Sequence, residues 1–255
     1  MIRGLYTAAT GMLVQELRQE NISNNLVNAN TAGYKSSKLA VSSFPEVLLS
    51  RIDALNGSQK GFKPVGTINN GAMLSEKVLD LTTGSLEETN NPLDLALAGE
   101  GFFTLATPQG IRYSRNGSFR LDGDGYLIDN HGNYVLGMGG PIFLDRTDFS
   151  LAQDGTLTID GQYVDRILIT TFNDETQLQK QGNDLFASLD GAGPRQLDPA
   201  SVNLKQGFVE KPNINLIDEM VNMLTVLRTY EANQRVIQAH DEVLGKSVNE
   251  IGSLR

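Results

Sequence analysis

The sequence predicts an α+β protein in which long N- and C-terminal helices pair as a coiled coil around a central, mainly β domain. Three observations predict this class: an apolar stripe at helical spacing at each end, short β-favouring runs between them, and frequent glycine in the middle. An amphipathic helix must bury its stripe. Two such helices are therefore expected to pack on each other or on further copies, which favours assembly over catalysis.

Composition excludes several classes of protein. A chain of 255 residues with 40% hydrophobic content can bury a core. Its net charge of −9, most of it in the middle of the chain, argues against nucleic acid as a partner, because a binder needs a basic face. The absence of cysteine excludes disulfides, thiol nucleophiles and cysteine-ligated metals.

Targeting signals are also missing from the pattern. No apolar run reaches the length of a membrane span, so membrane insertion is not expected. Polar residues such as Thr7, Thr10 and Glu16 interrupt the first helix, which makes it unlike a conventional cleaved signal peptide. Any export is expected to use a route without such a signal.

The first quarter of the chain contains one clear helix and several weaker signals. Its apolar positions recur at spacings of three and four, and Gly33 can end the helix in a left-handed conformation. The predicted elements are a helix over 2–28 with a break at 30–33, an extended or irregular segment over 34–43, a short second helix over 44–52 with Pro45 in its first turn, and an exposed loop over 56–63.

The middle of the chain changes to short β-favouring runs separated by glycine. The predicted strands cover 77–81, 102–107, 111–113, 126–128, 134–136, 156–159 and 167–172. An internal repeat supports this prediction, because Phe-x-Leu-x-x-Asp-Gly-x-Leu occurs at 119–127 and again at 149–157. Each copy predicts a hairpin with an Asp-Gly turn, so the pair indicates a duplicated supersecondary unit.

The last helix has a clear predicted start. Asn215 can cap the free backbone N–H groups, and Asp218 and Glu219 favour the positive end of the helix dipole. Continued to about Ile251, the helix is on the order of 50 Å long at roughly 1.5 Å per residue. The predicted domain division is 1–35 for the N-terminal helix, 36–64 for a connecting segment, 65–212 for the β domain and 213–255 for the C-terminal helix.

Four asparagines on the first helix make the most pointed local pattern. Their spacings place the amides on one face, and the residues are Asn21, Asn24, Asn25 and Asn28. Asparagine is a mediocre helix former, so one interpretation is a hydrogen-bonding seam that fixes register between helices or subunits. The other interpretation is an exposed helix end rich in turn formers. The residues alone leave both open.

Signatures of catalysis and metal binding are weak. The 122–125 Asp-Gly-Asp-Gly segment lacks the further oxygens of a calcium loop, and neither His131 nor His240 has a metal-ligand spacing. We therefore predict no cofactor, no metal and no catalytic residues. Two well-placed carboxylates would suffice for a glycosidase, so a secreted cell-wall enzyme stays open as an alternative, although 7% aromatic content without tryptophan disfavours it.

Several blocks resemble the flagellar basal-body rod and hook proteins. The longest is Ile-Ser-Asn-Asn-Leu-Val-Asn-Ala-Asn-Thr-Ala-Gly-Tyr-Lys at 22–35, which is similar to the family's N-terminal signature. Similar blocks stand at 4–8, 95–103, 113–119, 218–220 and 228–233. The resemblance therefore extends over both ends and the middle of the chain.

The resemblance implies a structural subunit of the bacterial flagellar basal-body rod. In that family the terminal helices pair into a coiled coil, copies stack into a hollow axial structure, and the flagellum's own apparatus exports the subunits without a cleaved signal. The implied partners are further copies, neighbouring rod and hook axial proteins and the export apparatus. The length suits a distal-rod-like protein or a close paralogue, and a capping or adaptor protein of the growing rod is the other alternative.

The expected assembly interface combines the apolar stripes of the helices with the asparagine face and the signature turn. It comprises Leu5, Met12, Asn21, Asn24, Asn25, Asn28, Asn30, Gly33, Tyr34, Met220, Leu227, Tyr230, Ile237 and Leu244.

Overall fold

The computed structural model describes residues 2–54, 60–182 and 184–252. These residues form two compact units. The helical unit comprises the described residues of Met1–Leu26, Ser37–Val78 and Leu216–Arg255, and the β unit comprises those of Val27–Ser36 and Leu79–Asn215. The predicted α+β class, with a helix at each end of a mainly β region, is confirmed. The predicted domain boundaries at 35, 64 and 212 stay a prediction.

The helical unit contains two long helices and four strands. Its elements are α1 (Ile2–Val27), β1 (Ser37–Ser43), β2 (Val47–Ala54), β3 (Lys60–Ile68), β4 (Ala72–Leu79) and α2 (Leu216–Gly252). Both helices match their predicted bounds closely, and α2 begins directly after the predicted cap residue Asn215. At 37 residues, α2 is about 55 Å long, given roughly 1.5 Å per residue.

The four strands of this unit form a two-stranded ribbon. β1 pairs with β4 and β2 pairs antiparallel with β3, and the N–H of Phe44 donates to the carbonyl of Gly71 at 3.0 Å between the two pairs. The predicted helix over 44–52 is therefore wrong. A short apolar run does not by itself distinguish helix from strand, and here pairing with β3 decides the conformation. Of the predicted loop over 56–63, residues 60–63 belong to β3 and 56–59 lie outside the described residues.

The β unit consists of short strands and two single 3₁₀ turns, Glu175–Gln177 and Pro199–Ser201. Its strands are β5 (Leu86–Glu88), β6 (Leu95–Leu97), β7 (Phe102–Thr107), β8 (Gly110–Ser114), β9 (Arg120–Leu121), β10 (Leu127–Ile128), β11 (Tyr134–Gly137), β12 (Gly140–Pro141), β13 (Ser150–Leu151), β14 (Thr156–Ile159), β15 (Gln162–Arg166), β16 (Ile169–Phe172), β17 (Leu178–Lys180), β18 (Leu185–Ser188), β19 (Pro194–Gln196), β20 (Leu204–Gln206) and β21 (Phe208–Glu210).

One ten-stranded sheet dominates the β unit. Its main path runs β17-β18-β8-β7-β11-β10-β9, with β12 on β11 and with β16 between β7 and β19. Three smaller sheets join β13-β14-β15, β20-β6 and β21-β5. The last two pair strands that are far apart in sequence, so the end of the β region closes back on its beginning.

Two apolar clusters fill the β unit. The larger lies around Phe103, Leu105 and Val135, all fully buried. The smaller is centred on Phe102, whose ring meets those of Phe172 and Phe186 edge to face at 5.5 Å each. Phe102 and Phe103 are consecutive on β7 and alternate between its faces, which is why this one strand contributes to both clusters.

The repeated motif forms two equivalent hairpins, as predicted. The leucine before each Asp-Gly turn pairs with the leucine after it, in the registers Leu121 with Leu127 and Leu151 with Leu157. The motif's first phenylalanine and last leucine are buried in both copies. The duplication is therefore a duplication of core positions as well as of turns.

The first of these turns provides a test of the hairpin assignment. Gly125 has a φ of +90°, and a Cβ there would lie 3.0 Å from the Phe143 ring and 3.1 Å from the Leu144 carbonyl. We expect Gly125→Ala to lower the free energy of unfolding by about 1–2 kcal/mol, because the left-handed conformation opposes a side chain. Gly123→Ala in the same turn meets no atom within 4 Å and is the matched control. Urea unfolding of both variants measures the difference, and equal losses would contradict the assignment.

Candidate assembly interface

Two close approaches and one hydrogen bond show how α1 and α2 run beside each other. A Cβ on Gly4 would lie 2.6 Å from Nε2 of His240, and a Cβ on Gly11 would lie 2.9 Å from Nδ2 of Asn233. Further along, Nδ2 of Asn25 donates to Oε1 of Glu219 at 3.1 Å. Each step of seven or fourteen residues forward on α1 is matched by the same step backward on α2, so the helices are antiparallel and keep one register.

Burial follows a seven-residue period on α2. Between residues 219 and 240 of α2, the side chains that are not exposed are Glu219, Met223, Val226, Tyr230, Asn233, Ile237 and His240. Their spacing alternates between four and three, which is the pattern of a two-helix seam. On α1 the positions at the matching spacing are also buried or half-buried, namely Gly4, Ala8, Gly11, Gln15, Arg18, Ile22 and Asn25. Other residues of α1 off this spacing, such as Met12 and Val14, are buried or half-buried as well.

The two glycines of α1 set the distance between the helices at that end. Glycine inside a helix costs roughly 1 kcal/mol relative to alanine. Here a Cβ on Gly4 or Gly11 would come within 3.0 Å of the end of a polar side chain of α2, which would have to move. The glycines therefore allow an approach that a larger residue would prevent.

The structure separates the four predicted asparagines. Asn21 and Asn25 are buried, and their amides donate to the carbonyl of Ser37 at 2.6 and 3.1 Å. Asn24 is exposed and Asn28 is half-buried. Asn21 and Asn25 are thus used in hydrogen bonds that hold the start of β1 against α1. A role of the four asparagines in contact between copies stays a prediction.

The predicted apolar interface residues also fall into two groups. Leu5 and Met12 on α1 and Tyr230 and Ile237 on α2 are half-buried. In contrast, Met220, Leu227 and Leu244 are exposed to 49%, 37% and 36%. Met220 and Leu227 are not members of the series that is buried against α1, and Leu244 lies beyond its end. A role of these three residues in contact between copies stays a prediction.

The signature turn after α1 belongs to the β unit. Asn30 is exposed, whereas Gly33 and Tyr34 are buried. Gly33 has a φ of +67°, and a Cβ there would collide with the backbone of Arg115 and Asn116. The glycine is thus required both by its conformation and by the close passage of this second backbone segment.

A buried ion cluster follows directly. Lys35 and Glu210 are each about 1% exposed, and the Lys35 Nζ lies 2.7 Å from Oε1 of Glu210. The same Nζ donates to the carbonyl of Thr82 at 2.7 Å, and the Gly84 N–H donates to the same carboxylate oxygen at 2.8 Å. A charge-assisted hydrogen bond of this length is among the stronger contacts in a protein interior.

Arg115 completes the cluster. Its Nη1 lies 3.5 Å from Oε2 of Glu210 and donates to the carbonyl of Gly99 at 2.7 Å. The guanidinium also lies 5.2 Å from the centre of the Phe102 ring. One buried carboxylate therefore faces two buried cations.

Burial decides the electrostatics of both cations. It lowers the pKa of Lys35 below its ordinary value, against the opposing hydrogen bond and attraction from Glu210. Burial likewise lowers the pKa of Arg115, again against the attraction of Glu210. Glu210 is thus the largest of the charges that offset the desolvation of both cations, with Asp80 contributing at Lys35 and Glu175 and Glu100 at Arg115.

The sequence patterns did not identify this cluster. Lys35, Arg115 and Glu210 are 80 or more residues apart along the chain, and a charged side chain carries no periodic signal of burial. Lys35 and Arg115 do stand inside the blocks at 22–35 and 113–119 that carry the family resemblance. Their position in those blocks was the available signal.

Metal-binding groups of side chains and membrane-spanning helices are absent from residues 2–54, 60–182 and 184–252. In these residues no three His, Asp or Glu side chains are grouped to hold a metal ion. No helix in the same part of the chain is long and apolar enough to cross a membrane.

Comparison with known protein families gives three matches. The model described as Flagella basal body rod protein matches residues 5–35. The model described as Flagellar hook protein FlgE/F/G D1 domain matches residues 96–163, and the model described as Flagellar basal body rod FlgEFG protein C-terminal matches residues 205–251. The matches thus include both helices and the centre of the β unit.

Individual relatives match over almost their whole length. The chain is 34% identical to the flagellar hook-basal body complex protein FlhO of Bacillus subtilis, over 100% of both chains. It is 32% identical to the flagellar basal-body rod protein FlgG of the same organism, over 98% of this chain and 99% of the relative. FlgG of Caulobacter vibrioides is 30% identical over 95% and 97%.

The ion cluster predicts which substitution lowers the free energy of unfolding most. Glu210→Gln removes the carboxylate that lies closest to both buried cations, so we expect a loss of about 3–5 kcal/mol in the free energy of unfolding. Lys35→Met leaves Glu210 paired with Arg115, so its loss should be smaller. Chemical denaturation of the whole protein measures both.

The control for this order is Lys211→Gln. Lys211 pairs with Glu87 at 3.1 Å, but both side chains are about half exposed. Removing such a surface pair should change stability by less than about 1 kcal/mol. A larger loss for Lys35→Met than for Glu210→Gln would overturn the assignment of Glu210 as the shared counter-ion.

Asp184 predicts a dependence on pH. Burial raises the pKa of its carboxyl, against the attraction of Lys180 and a hydrogen bond from Asn116. Below the ordinary pKa of 3.8 the carboxyl is protonated, and its burial does not lower the free energy of unfolding. As pH rises through the raised pKa, the buried carboxyl becomes charged and the free energy of unfolding falls. Asp184→Asn removes the charge and tolerates the φ of +56°. We expect the variant to be more stable than the native chain at pH 7 and to lose this advantage near pH 3. Thermal unfolding at both pH values measures this, and an advantage that persists at pH 3 would contradict it.

Proposed function

The chain belongs to the flagellar basal-body rod protein family, and we propose that its two terminal helices are the device by which it assembles. The protein is a structural subunit of the bacterial flagellar basal body, not an enzyme. Its partners are axial proteins of the same kind. The helix pair α1–α2 would form the assembling part.

The observation that carries this proposal is that the helices use one face for each other and keep a second apolar face exposed. On α2 this second face contains Ile217, Val221 and Leu224, which are exposed to 71%, 56% and 57%. On α1 it contains Tyr6, Leu13 and Val27, exposed to 64%, 59% and 79%. Exposed apolar side chains that recur at helical spacing on both helices indicate contacts with other molecules.

The seam between the helices supports a coiled coil. Contacts that recur every seven residues keep facing each other only if the helices are slightly underwound to 3.5 residues per turn. We propose that α1 and α2 pair in this way within one chain. The assembly interface would then consist of the exposed members of the predicted set, notably Asn24, Asn30, Met220, Leu227 and Leu244.

The finer placement along the flagellum is also proposed. We place the subunit in the distal rod or a closely related rod-to-hook position, because the length is similar to that of the rod relatives. Export through the flagellar apparatus without a cleaved signal peptide would bring it there. A capping or adaptor protein of the rod is the second candidate, since it would carry the same helices.

Copy number in isolated basal bodies separates these candidates. A strain with a tagged copy of the gene in place of the native one supplies the particles, and quantitative mass spectrometry compares the protein with other axial proteins of the same particles. A rod subunit is present in multiple copies along the rod, and its deletion abolishes motility. Detection at the copy number of a cap, or absence from the particles, would contradict the rod assignment.

The helix pair gives a matched test. Gly11→Leu places a large side chain against Asn233 and should abolish motility and incorporation, because α1 and α2 can no longer approach. A Cβ on Gly245 of α2 would meet no atom within 4 Å, so Gly245→Leu should leave both at native levels. Motility in soft agar and the amount of protein in basal bodies measure the two variants. Normal incorporation of Gly11→Leu would show that the helix pair is not required.

A further inference from the structure

Asparagine followed by glycine is a dipeptide in which a protein can modify itself. The asparagine side chain cyclises onto the next backbone nitrogen, and glycine has no side chain to obstruct that approach. The pair occurs at 56–57, 70–71 and 116–117. The first pair lies outside the described residues. The structure holds the other two in different ways, which permits a comparison within one chain.

Asn70 and Gly71 lie in the connection between β3 and β4. Asn70 is exposed, and no described residue makes a hydrogen bond with its side chain. The N–H of Gly71 likewise donates to no backbone carbonyl among the described residues. The side-chain carbon and the backbone nitrogen that would react are therefore both free of competing hydrogen bonds.

Asn116, in contrast, is held at three atoms. Its backbone N–H donates to Oγ of Ser114 at 3.0 Å, and its Oδ1 accepts from the N–H of Ser118 at 3.0 Å. Its Nδ2 donates to Oδ2 of Asp184 at 3.5 Å. Cyclisation would have to break both side-chain hydrogen bonds, so Asn116 should react more slowly than Asn70.

We propose that Asn70 is a site of spontaneous deamidation. The Gly71 nitrogen attacks Cγ of Asn70, so that an N–Cγ bond forms and the Cγ–Nδ2 bond breaks. The proton of the Gly71 N–H passes through water to the departing amine, which leaves as ammonia. Water then opens the succinimide at one of its two carbonyl carbons and gives either aspartate or isoaspartate. The reaction needs water alone as co-reactant.

Gly71 also seats the ribbon on α1. It is buried, and a Cβ on it would collide with Oγ1 of Thr10. Its carbonyl accepts the N–H of Phe44 at 3.0 Å. An isoaspartyl link routes the main chain through Cβ and Cγ of residue 70, which adds one C–C bond of about 1.5 Å and one negative charge. The added length displaces Gly71 from these contacts, so the product releases this end of the ribbon from α1.

This inference goes beyond the proposed function and does not rest on it. Both of its measurements use the isolated full-length chain in solution. Absence of the protein from basal bodies would overturn the rod assignment and leave the chemistry of Asn70 unchanged.

Peptide mass spectrometry tests the site. The folded protein is incubated at neutral pH and then digested at mildly acidic pH, where cyclisation is slow. Deamidation of Asn70 should be at least about tenfold faster than that of Asn116, which corresponds to about 1.4 kcal/mol in the barrier. In urea the two rates should become similar, because the hydrogen bonds of Asn116 are lost. Equal rates in the folded protein, or no reaction at Asn70, would overturn the site.

Hydrogen exchange of incubated protein tests the release of the ribbon. In the isoaspartyl form the N–H of Phe44 should exchange at least about tenfold faster, because its bond to Gly71 is lost. Asn70→Gln is the matched control: it keeps the charge, and its longer side chain closes the ring slowly, so it should keep native exchange after the same incubation. Freshly prepared Asn70→Asp adds the charge alone and should keep native exchange as well. Native exchange of Phe44 in the isoaspartyl form would overturn the release, and fast exchange in Asn70→Asp would overturn the role of main-chain length.

Discussion

The β unit depends on one buried carboxylate. Glu210 faces the ammonium of Lys35 and the guanidinium of Arg115, and all three side chains are almost fully buried. A buried charge without a partner costs several kcal/mol. The segments that carry these groups, together with Thr82 and Gly84, must therefore be in place together. The segment that follows α1 and the strand that precedes α2 are thereby held by one interaction.

A second constraint, the close approach of α1 to α2, acts in the helical unit. Gly4 and Gly11 bring α1 close to α2, and Asn25 closes the other end of the seam through Glu219. Glycine and asparagine weaken an isolated helix. Their use here indicates that close approach and polar register matter more to this protein than helix propensity, which suits helices that assemble instead of standing alone.

Much of this architecture could be predicted from sequence, because it rests on local patterns. The start of α2 after Asn215 and the paired hairpins at Leu121 and Leu151 follow from capping and turn chemistry. The prediction of a helix over 44–52 was wrong, because its leucines and valine fit a helix as well as a strand. Only pairing with β3 decides its conformation. The assignment of Met220 and Leu227 to the assembly interface stays a prediction, because apolar residues occupy two faces of that helix and only one of them faces α1. The ion cluster was missed since its members meet only in the folded chain.

The most direct test of the shared counter-ion is the effect of Lys35→Met in two backgrounds, measured as the free energy of unfolding. In the native background the substitution should lower stability, because it removes a partner of Glu210. In the Glu210→Gln background it should raise stability, since it removes a buried ammonium that has lost its closest carboxylate and faces Arg115. This reversal of sign is the predicted result. An effect of the same sign and size in both backgrounds would show that Lys35 and Glu210 are not coupled, and would contradict the account.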